Sequence, residues 1–570
     1  MKLPALDFET LRRETVGADA SFETPFGRRL MTYADYTASG RCLGFVERFL
    51  LQVQHIYANT HTEDDVSGRS MLRLLDQAGT AIKDSVNAGP DGRLIALGTG
   101  STAAINRFQQ LIGVALPPVT AERLVQWRTE HFGSEASAAY EDFLRSKRPV
   151  VFVGPFEHHS NEITWRESLA EVVPIALAVD GSLDMNDLER KLQEPQYHGR
   201  FLIGSFSAAS NVTGRRTPVP ALSRLLHAHG ALAVFDYAAC APYVPIDMNP
   251  DPGPDGGDPS IDAIFISPHK FLGGPGSSGV LVFNKRIYHS ELAPSVGGGG
   301  TVDYVGPREH DFVHDIEERE KAGTPGTLQT MKAALAFLIK EAVGAEKIEE
   351  REDELLERAM NRWGSNDRIE ILGGAGTKDR TAIVSFNIRD PRGDYLHPKL
   401  LTVLLNDLFG IQSRAGRSCA GPYGHTLLGI DEETSERYRA AVNKGWIGVK
   451  PGGGRIGFHF VMDDAEANFL IEAVEFVAEH GWVFQQLYEF DPHAATWTHR
   501  EYQVEEDTFD LTLALGPQSL DDVVSPVQRA ALYAGYLSQA KALAAELKDS
   551  APATSQRLTG DLEELQFFSF

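Results

Sequence analysis

Five short apolar runs in this 570-residue chain each lead into polar residues of types that do chemistry. RLIAL, from Arg93, is followed by Gly98-Thr99-Gly100-Ser101-Thr102 and then by the helix-like AAINRFQQL. PVVFVG, from Pro149, leads to Glu157-His158-His159-Ser160-Asn161, and RFLIGSF, from Arg200, leads to Ser210-Asn211-Val212-Thr213-Gly214. ALAVFD ends in Asp236, and AIFIS runs into Ser267-Pro268-His269-Lys270. A Gly/Ser/Thr turn opening a helix presents free backbone N–H groups, hydroxyl donors and the positive end of the helix dipole, which together suit a phosphate. Ligands of open α/β sheets bind at the carboxyl ends of the strands. The five ends would therefore converge on one site holding a phosphate cradle, an acid, a lysine, histidines and an asparagine.

That inventory is what pyridoxal phosphate requires. A lysine must form an imine with the aldehyde, a carboxylate must keep the pyridine nitrogen protonated, a donor tunes the phenolate side, and the phosphate needs several donors. The expected assignments are Lys270 to the Schiff base, Asp236 to the ring nitrogen and Asn211 to the phenolate side. Ser101, Thr102, Ser267 and His269 go to the phosphate, and His158 lies over the ring, where it can also move protons. Two competing readings fare worse. Gly98-x-Gly100-x-x-Ala103 also fits a dinucleotide fingerprint, which wants an acid closing the next strand about twenty residues on. The sequence there runs LIGVALPPVTAERL, with prolines and no clear strand. His158, His159 and His269 could ligate zinc, but that leaves the lysine unexplained and the adjacent serines and asparagine are poor ligands, so no metal is expected.

The elements that must position these residues follow from the texture of the chain. Between about Arg93 and Asn284, continuous β-branched runs alternate with segments of helical length, the pattern of a mainly parallel central sheet with helices on both faces. NPDPGPDGGDPS from Asn249 reads as a surface insertion, and SVGGGGTVDY from Ser295 as a loop bordering a site. Leu328 to about Glu357 reads as one long helix leading to a smaller C-terminal α/β domain that contains TAIVSFNI and RIGFHF. The expected division is an N-terminal segment (1–30), a large cofactor-binding domain (31–327), a small domain (328–490) and a largely helical extension (491–570). The formal charge of −25 disfavours nucleic acid and anionic membrane as partners. Three cysteines over this length point to a reducing compartment, and MKLPALDFETLRRET lacks the apolar core of a signal peptide. A cytoplasmic protein is expected.

At this point the sequence resembles the class V aminotransferase family, most closely its cysteine desulfurase branch, from about Tyr33 to Phe460. YADYTASG (Tyr33–Gly40), GSTAAIN, EHHSN, SNVTG, the Asp236-x-Ala segment, SPHK, AGTPGT (Ala322–Thr327) and SRAGRSCAGP follow in family order. The resemblance implies fold type I and a homodimer with shared sites, in which Thr324 reaches the phosphate of the neighbouring subunit. It matches Arg414 to the arginine that grips the substrate carboxylate through a bidentate pair. Cys419 matches the nucleophilic loop cysteine of desulfurases, and Arg414 and Arg417 nearby in sequence would favour its thiolate. The chain departs from the pattern at Ala239, where the family has Gln, and at Arg417-Ser418, where many desulfurases carry His-His. The tail after about Tyr488 has no family counterpart.

The expected reaction is conversion of L-cysteine to L-alanine with a persulfide on Cys419, passed on to a sulfur-acceptor protein. A class V aminotransferase, lyase or epimerase acting on another amino acid needs only Lys270, Asp236 and the phosphate cradle. A non-catalytic interaction protein of the same fold would have no use for Lys270 and Asp236.

Overall fold

The apolar runs become strands because their β-branched side chains fit a pleated surface buried on both faces. In a computed structural model, which describes residues 3–60, 62–254, 256–416, 419–502, 524–552 and 556–569, the chain divides into two units. One comprises residues 1–7 and 39–349, the other 8–38 and 350–570.

The first unit is built on β1 (Gly92–Leu97), β2 (Val150–Val153), β3 (Glu171–Pro174), β4 (Leu202–Ser207), β5 (Leu232–Asp236), β6 (Ala263–Ile266) and β7 (Gly279–Asn284). They form a seven-stranded sheet in the order β1-β7-β6-β5-β4-β2-β3. The pairs from β3 to β6 are parallel, and β7 is antiparallel to both of its neighbours. The sheet is thus mainly parallel, as its texture predicts. The helix after β1, α1 (Ser101–Leu111), packs Ile105 and Phe108 into a core shared with Val151, Ile203, Phe265 and Leu281. The polar stretch after it, which showed no clear strand, is a 28-residue helical segment, α2 (Pro118–Arg145). β3 escaped the sequence reading because EVVP is only four residues long and follows a polar stretch. The glycine-rich loop from Ser295 runs into a two-stranded ribbon, Val302–Val305 with His310–Phe312.

The single helix read from Leu328 is two, α3 (Thr327–Val343) and α4 (Ala345–Trp363). Gly344, at φ +94, breaks it, since a positive φ is costly for any residue but glycine.

The second unit holds an antiparallel sheet of β8 (Ile369–Ile371), β9 (Ile383–Ile388), β10 (Arg414–Gly416) and β11 (Gly453–Gly457), in the order β8-β9-β11-β10. Helices α5 (Pro398–Phe409) and α6 (Asp464–Phe484) pack on each other. The N-terminal stretch folds into this unit: Thr32–Tyr33 pairs in parallel with Ile411–Gln412. The tail contributes helix α7 (Pro526–Lys548), opened by a Ser525/Gln528 capping box, and the terminal strand Phe568–Ser569, which pairs with Tyr395–Leu396. No described helix is long and apolar enough to cross a membrane.

Candidate functional site

Parallel neighbours β4, β5 and β6 end at one edge of the sheet, so the residues that follow them meet there. Asp236 closes β5 in register with Ser207 of β4 and Phe265 of β6. Its carboxylate is buried and accepts the Ala238 N–H at 2.9 Å, with Ser101 close by. Burial pushes its pKa up, while the Ala238 bond and the nearby Lys270 charge pull it down. Lys270 ends a one-turn helix, Pro268–Lys270, that starts five residues beyond the first pairing of β6 and folds the chain back. The two residues the chemistry needs most are therefore electrostatic neighbours, Asp236 buried and Lys270 half-buried.

The phosphate-type turn forms at the N-terminus of α1. Ser101 N–H donates to Ser267 Oγ at 2.8 Å, joining the β1 and β6 ends. Gly100 has extended backbone, so glycine is needed for space alone. A Cβ there would sit 3.0 Å from Ser267 Oγ and 3.5 Å from His269 Nε2. Gly98, at φ +53, makes the preceding turn, and a Cβ on it would meet Ala103 at 2.6 Å. His269 is held down to about 4, by burial first and by the Lys270 charge second, so at neutral pH it is a neutral imidazole. Thr102 Oγ1 lies 2.7 Å from Ser160 Oγ. His158 Nδ1 accepts the Ser160 N–H at 3.1 Å, which fixes the ring proton on Nε2. Asn211 lies buried in the turn after β4, three residues beyond Ala208, whose N–H donates to Asp236 O at 2.9 Å. Thr324 stands apart in an exposed loop, where its hydroxyl accepts from Asn59 Nδ2 at 3.1 Å.

Two residues were quoted in the sequence without a role. Glu157, fully buried, accepts Ser207 N–H (2.8 Å), Ser207 Oγ–H (2.6 Å), Asn161 Nδ2–H (2.7 Å) and Gly154 N–H (3.2 Å). Burial outweighs those four bonds and, with the Asp236 charge, raises its pKa to about 7. It ties the ends of β2 and β4 together beside His158 and Asp236. The available signal was a carboxylate directly after an apolar strand. Arg455, in the second unit, is the lone charge in the buried strand β11. It sits opposite Arg414 in register and donates to Asp35 at 2.7 Å. Burial pulls its pKa down and Asp35 pushes it back up. Arg414 itself is exposed. Cys419, half-buried, lies within electrostatic reach of Arg455 and holds a left-handed φ of +61, a conformation uncommon for a non-glycine residue. Arg417 and Ser418 lie outside the described residues.

The first unit's residues fit pyridoxal phosphate. A glycine-spaced cradle at Gly100 is ringed by the Ser101 hydroxyl, Ser267 and a neutral imidazole, and a buried carboxylate and a lysine share the pocket behind it. Fold and site together define a fold type I pyridoxal-phosphate enzyme. Residues 129–467 match the model of the aminotransferase class-V family, and the chain belongs to that family. A probable cysteine desulfurase from Halalkalibacterium halodurans is 29% identical over 276 residues, 48% of this chain and 62% of that protein, so the chain matches less than two thirds of its length. One from Streptomyces coelicolor is 25% identical over 429 residues, 74% of this chain and 90% of that protein. The solved apo cysteine desulfurase of Thermococcus onnurineus superposes with a TM-score of 0.60 at 20% identity, covering 84% of this chain and 98% of its own. An S-sulfonic acid form of an Escherichia coli cysteine desulfurase gives 0.60 at 20%, covering 82% and 98%.

Proposed function

We propose that this protein is a cysteine desulfurase that releases L-alanine from L-cysteine and leaves the sulfur on Cys419. The observation that carries the reading is the burial of Asp236 beside Lys270 at the strand ends, next to the Ser101/Ser267 cradle. The relatives' names and Cys419 in its arginine-flanked loop support the branch.

When bound, pyridoxal phosphate withdraws electrons from the substrate α-carbon. Ser101, Thr102, Ser267 and neutral His269 bind its phosphate through uncharged donors. Thr324, exposed, serves the phosphate site of a neighbouring subunit in a homodimer. Asp236 holds a proton at the pyridine nitrogen, Asn211 donates on the phenolate side, and His158 stacks over the ring with its Nε2 proton available. Lys270 would hold the cofactor covalently, and its Nζ would move the substrate α-proton. Arg414 orients the substrate carboxylate. Cys419 attacks as the thiolate: the Cβ–S bond of the substrate breaks, a bond from Cys419 Sγ to that sulfur forms, and the carbon fragment gains the proton that makes it alanine. A sulfur-acceptor protein then relieves Cys419 of its persulfide. Three free thiols, Cys42, Cys240 and Cys419, are in keeping with the reducing cytoplasm.

The test is Cys419→Ser. Alanine and sulfide production from cysteine in the presence of a thiol should fall about 10²-fold or more, while the visible cofactor band still shifts when cysteine is added. Full turnover by the variant sinks the desulfurase reading. Amino transfer to pyruvate or 2-oxoglutarate would replace it with a transaminase.

A further inference from the structure

The helix α2 belongs to neither the sheet nor the site. Its Gly133 has φ +79 and ψ 167, a conformation open essentially to glycine alone, and divides it into two arms, 118–132 and 134–145. In a straight helix Arg128 and Glu141 would be about 20 Å apart. Instead Arg128 Nη2 donates to Glu141 at 2.8 Å and Nε donates to Ser137 Oγ at 3.0 Å, with the guanidinium over the Tyr140 ring. The arms therefore fold back as a helical hairpin.

This hairpin has no core of its own. Of its 28 residues only Ser137 is buried. Ala121, Val125 and Phe132 lie on one face of the first arm, at spacings of four and seven, beside the paired Arg128. Ala136, Tyr140 and Leu144 form the matching face of the second arm. Both faces line an open groove of about 1140 Å³ that also takes in Leu169 at the rim of the sheet. Seven large apolar side chains of α2 are 43–65% exposed, four of them aromatic. Of those aromatics, Phe132 and Tyr140 line the groove; at 150–250 Å² for a whole aromatic side chain they offer on the order of 200 Å², to which the exposed Leu124 and Val125 add, against the roughly 800 Å² each partner gives to a standard interface. Helices this short are marginal in water without tertiary packing.

We propose that α2 pairs with the α2 of a second copy of this chain, two hairpins closing into one four-helix bundle. Two-fold pairing needs a self-complementary patch. Here a protruding aromatic, Phe132, stands beside a groove able to receive its symmetry mate. Charge points to the same occupant. Residues 118–148 carry five carboxylates and five Lys/Arg, intermixed, so the whole net charge of −25 lies elsewhere on the chain. Two copies meeting here oppose neutral, mixed-sign faces, whereas most other contacts would set acid against acid. This contact is separate from the one proposed through Thr324, so the two would coexist.

Sedimentation velocity of the full-length holoenzyme, over a range of concentrations, tests this against the double variant L124E/F132E. Both positions are exposed, so the substitutions remove no core. The wild type should have twice the mass of the variant, with the visible cofactor band and thermal midpoint unchanged. Equal masses would overturn the pairing and leave the groove to another occupant. If the variant's midpoint drops, amide exchange of the wild type decides. Protection of α2 that rises with protein concentration supports the pairing, and protection independent of concentration overturns it.

Discussion

Asp236 and Lys270 meet because β5 and β6 are parallel neighbours, with Asp236 opposite Phe265 and the turn at Pro268 carrying Lys270 back across the strand ends. Sequence order alone shows an acid closing one strand and a lysine following another; the register makes them a pair. Lys270→Ala should lose the covalent cofactor band and lower turnover by about 10²–10⁴-fold, as removal of a proton-transfer group does. Absorbance and single-turnover measurements check it. Glu157 was visible in the sequence but its task was not, because two of the four bonds that hold it come from Ser207, fifty residues away on β4. With its pKa raised from 4.5 to about 7, the folded chain binds an extra proton between those values. Its contribution is therefore full below about pH 4.5 and is lost as pH rises through about 7, a swing on the order of 3 kcal/mol. Glu157→Gln should shrink the fall in thermal midpoint between pH 5 and pH 8. An identical fall in the variant would assign the pH dependence to other groups.

The elements near the site act by holding its edges. Helix α1 carries Ser101 at its first turn and Phe108 two turns on, with Phe108 edge-on to Trp165 and Phe265. Phe108→Ala should cost about 3–5 kcal/mol by denaturant unfolding, the toll of a large cavity in a packed core. Gly100→Ala is backbone-neutral, yet its Cβ crowds Ser267 and His269. Affinity of the apoprotein for pyridoxal phosphate should fall about tenfold, equivalent to about 1.4 kcal/mol, in a fluorescence titration. Continuous apolar runs revealed most of the buried strands, and α1 was legible because its buried and exposed positions alternate with the helical period. Neither signal revealed the hairpin turn within α2 or the break at Gly344, since each depends on the backbone of one glycine rather than on a pattern.

For the whole molecule, the tail is a structural part of the second unit. Tyr533 stacks on Phe469 at 4.0 Å and shares a hydrogen bond with Thr32, while Tyr536 accepts the Leu30 N–H at 3.0 Å. Helix α7 thus braces the N-terminal strand that pairs with Ile411–Gln412, two residues before Arg414. Removing residues 525–570 should lower the melting transition of that unit by several degrees and expose Phe469 to dye binding, as seen by calorimetry and fluorescence. The sequence by itself determined the strand ends and their chemistry, because residue type limits what a side chain can do and continuous apolar runs must be buried. Only the tertiary structure decided which of those ends became neighbours, that Glu157 is held by four donors, and that α2 is left without a core. Those outcomes depend on strand order and register, which join residues far apart in the chain, and on the backbone angles taken up at Gly133, which no residue pattern records.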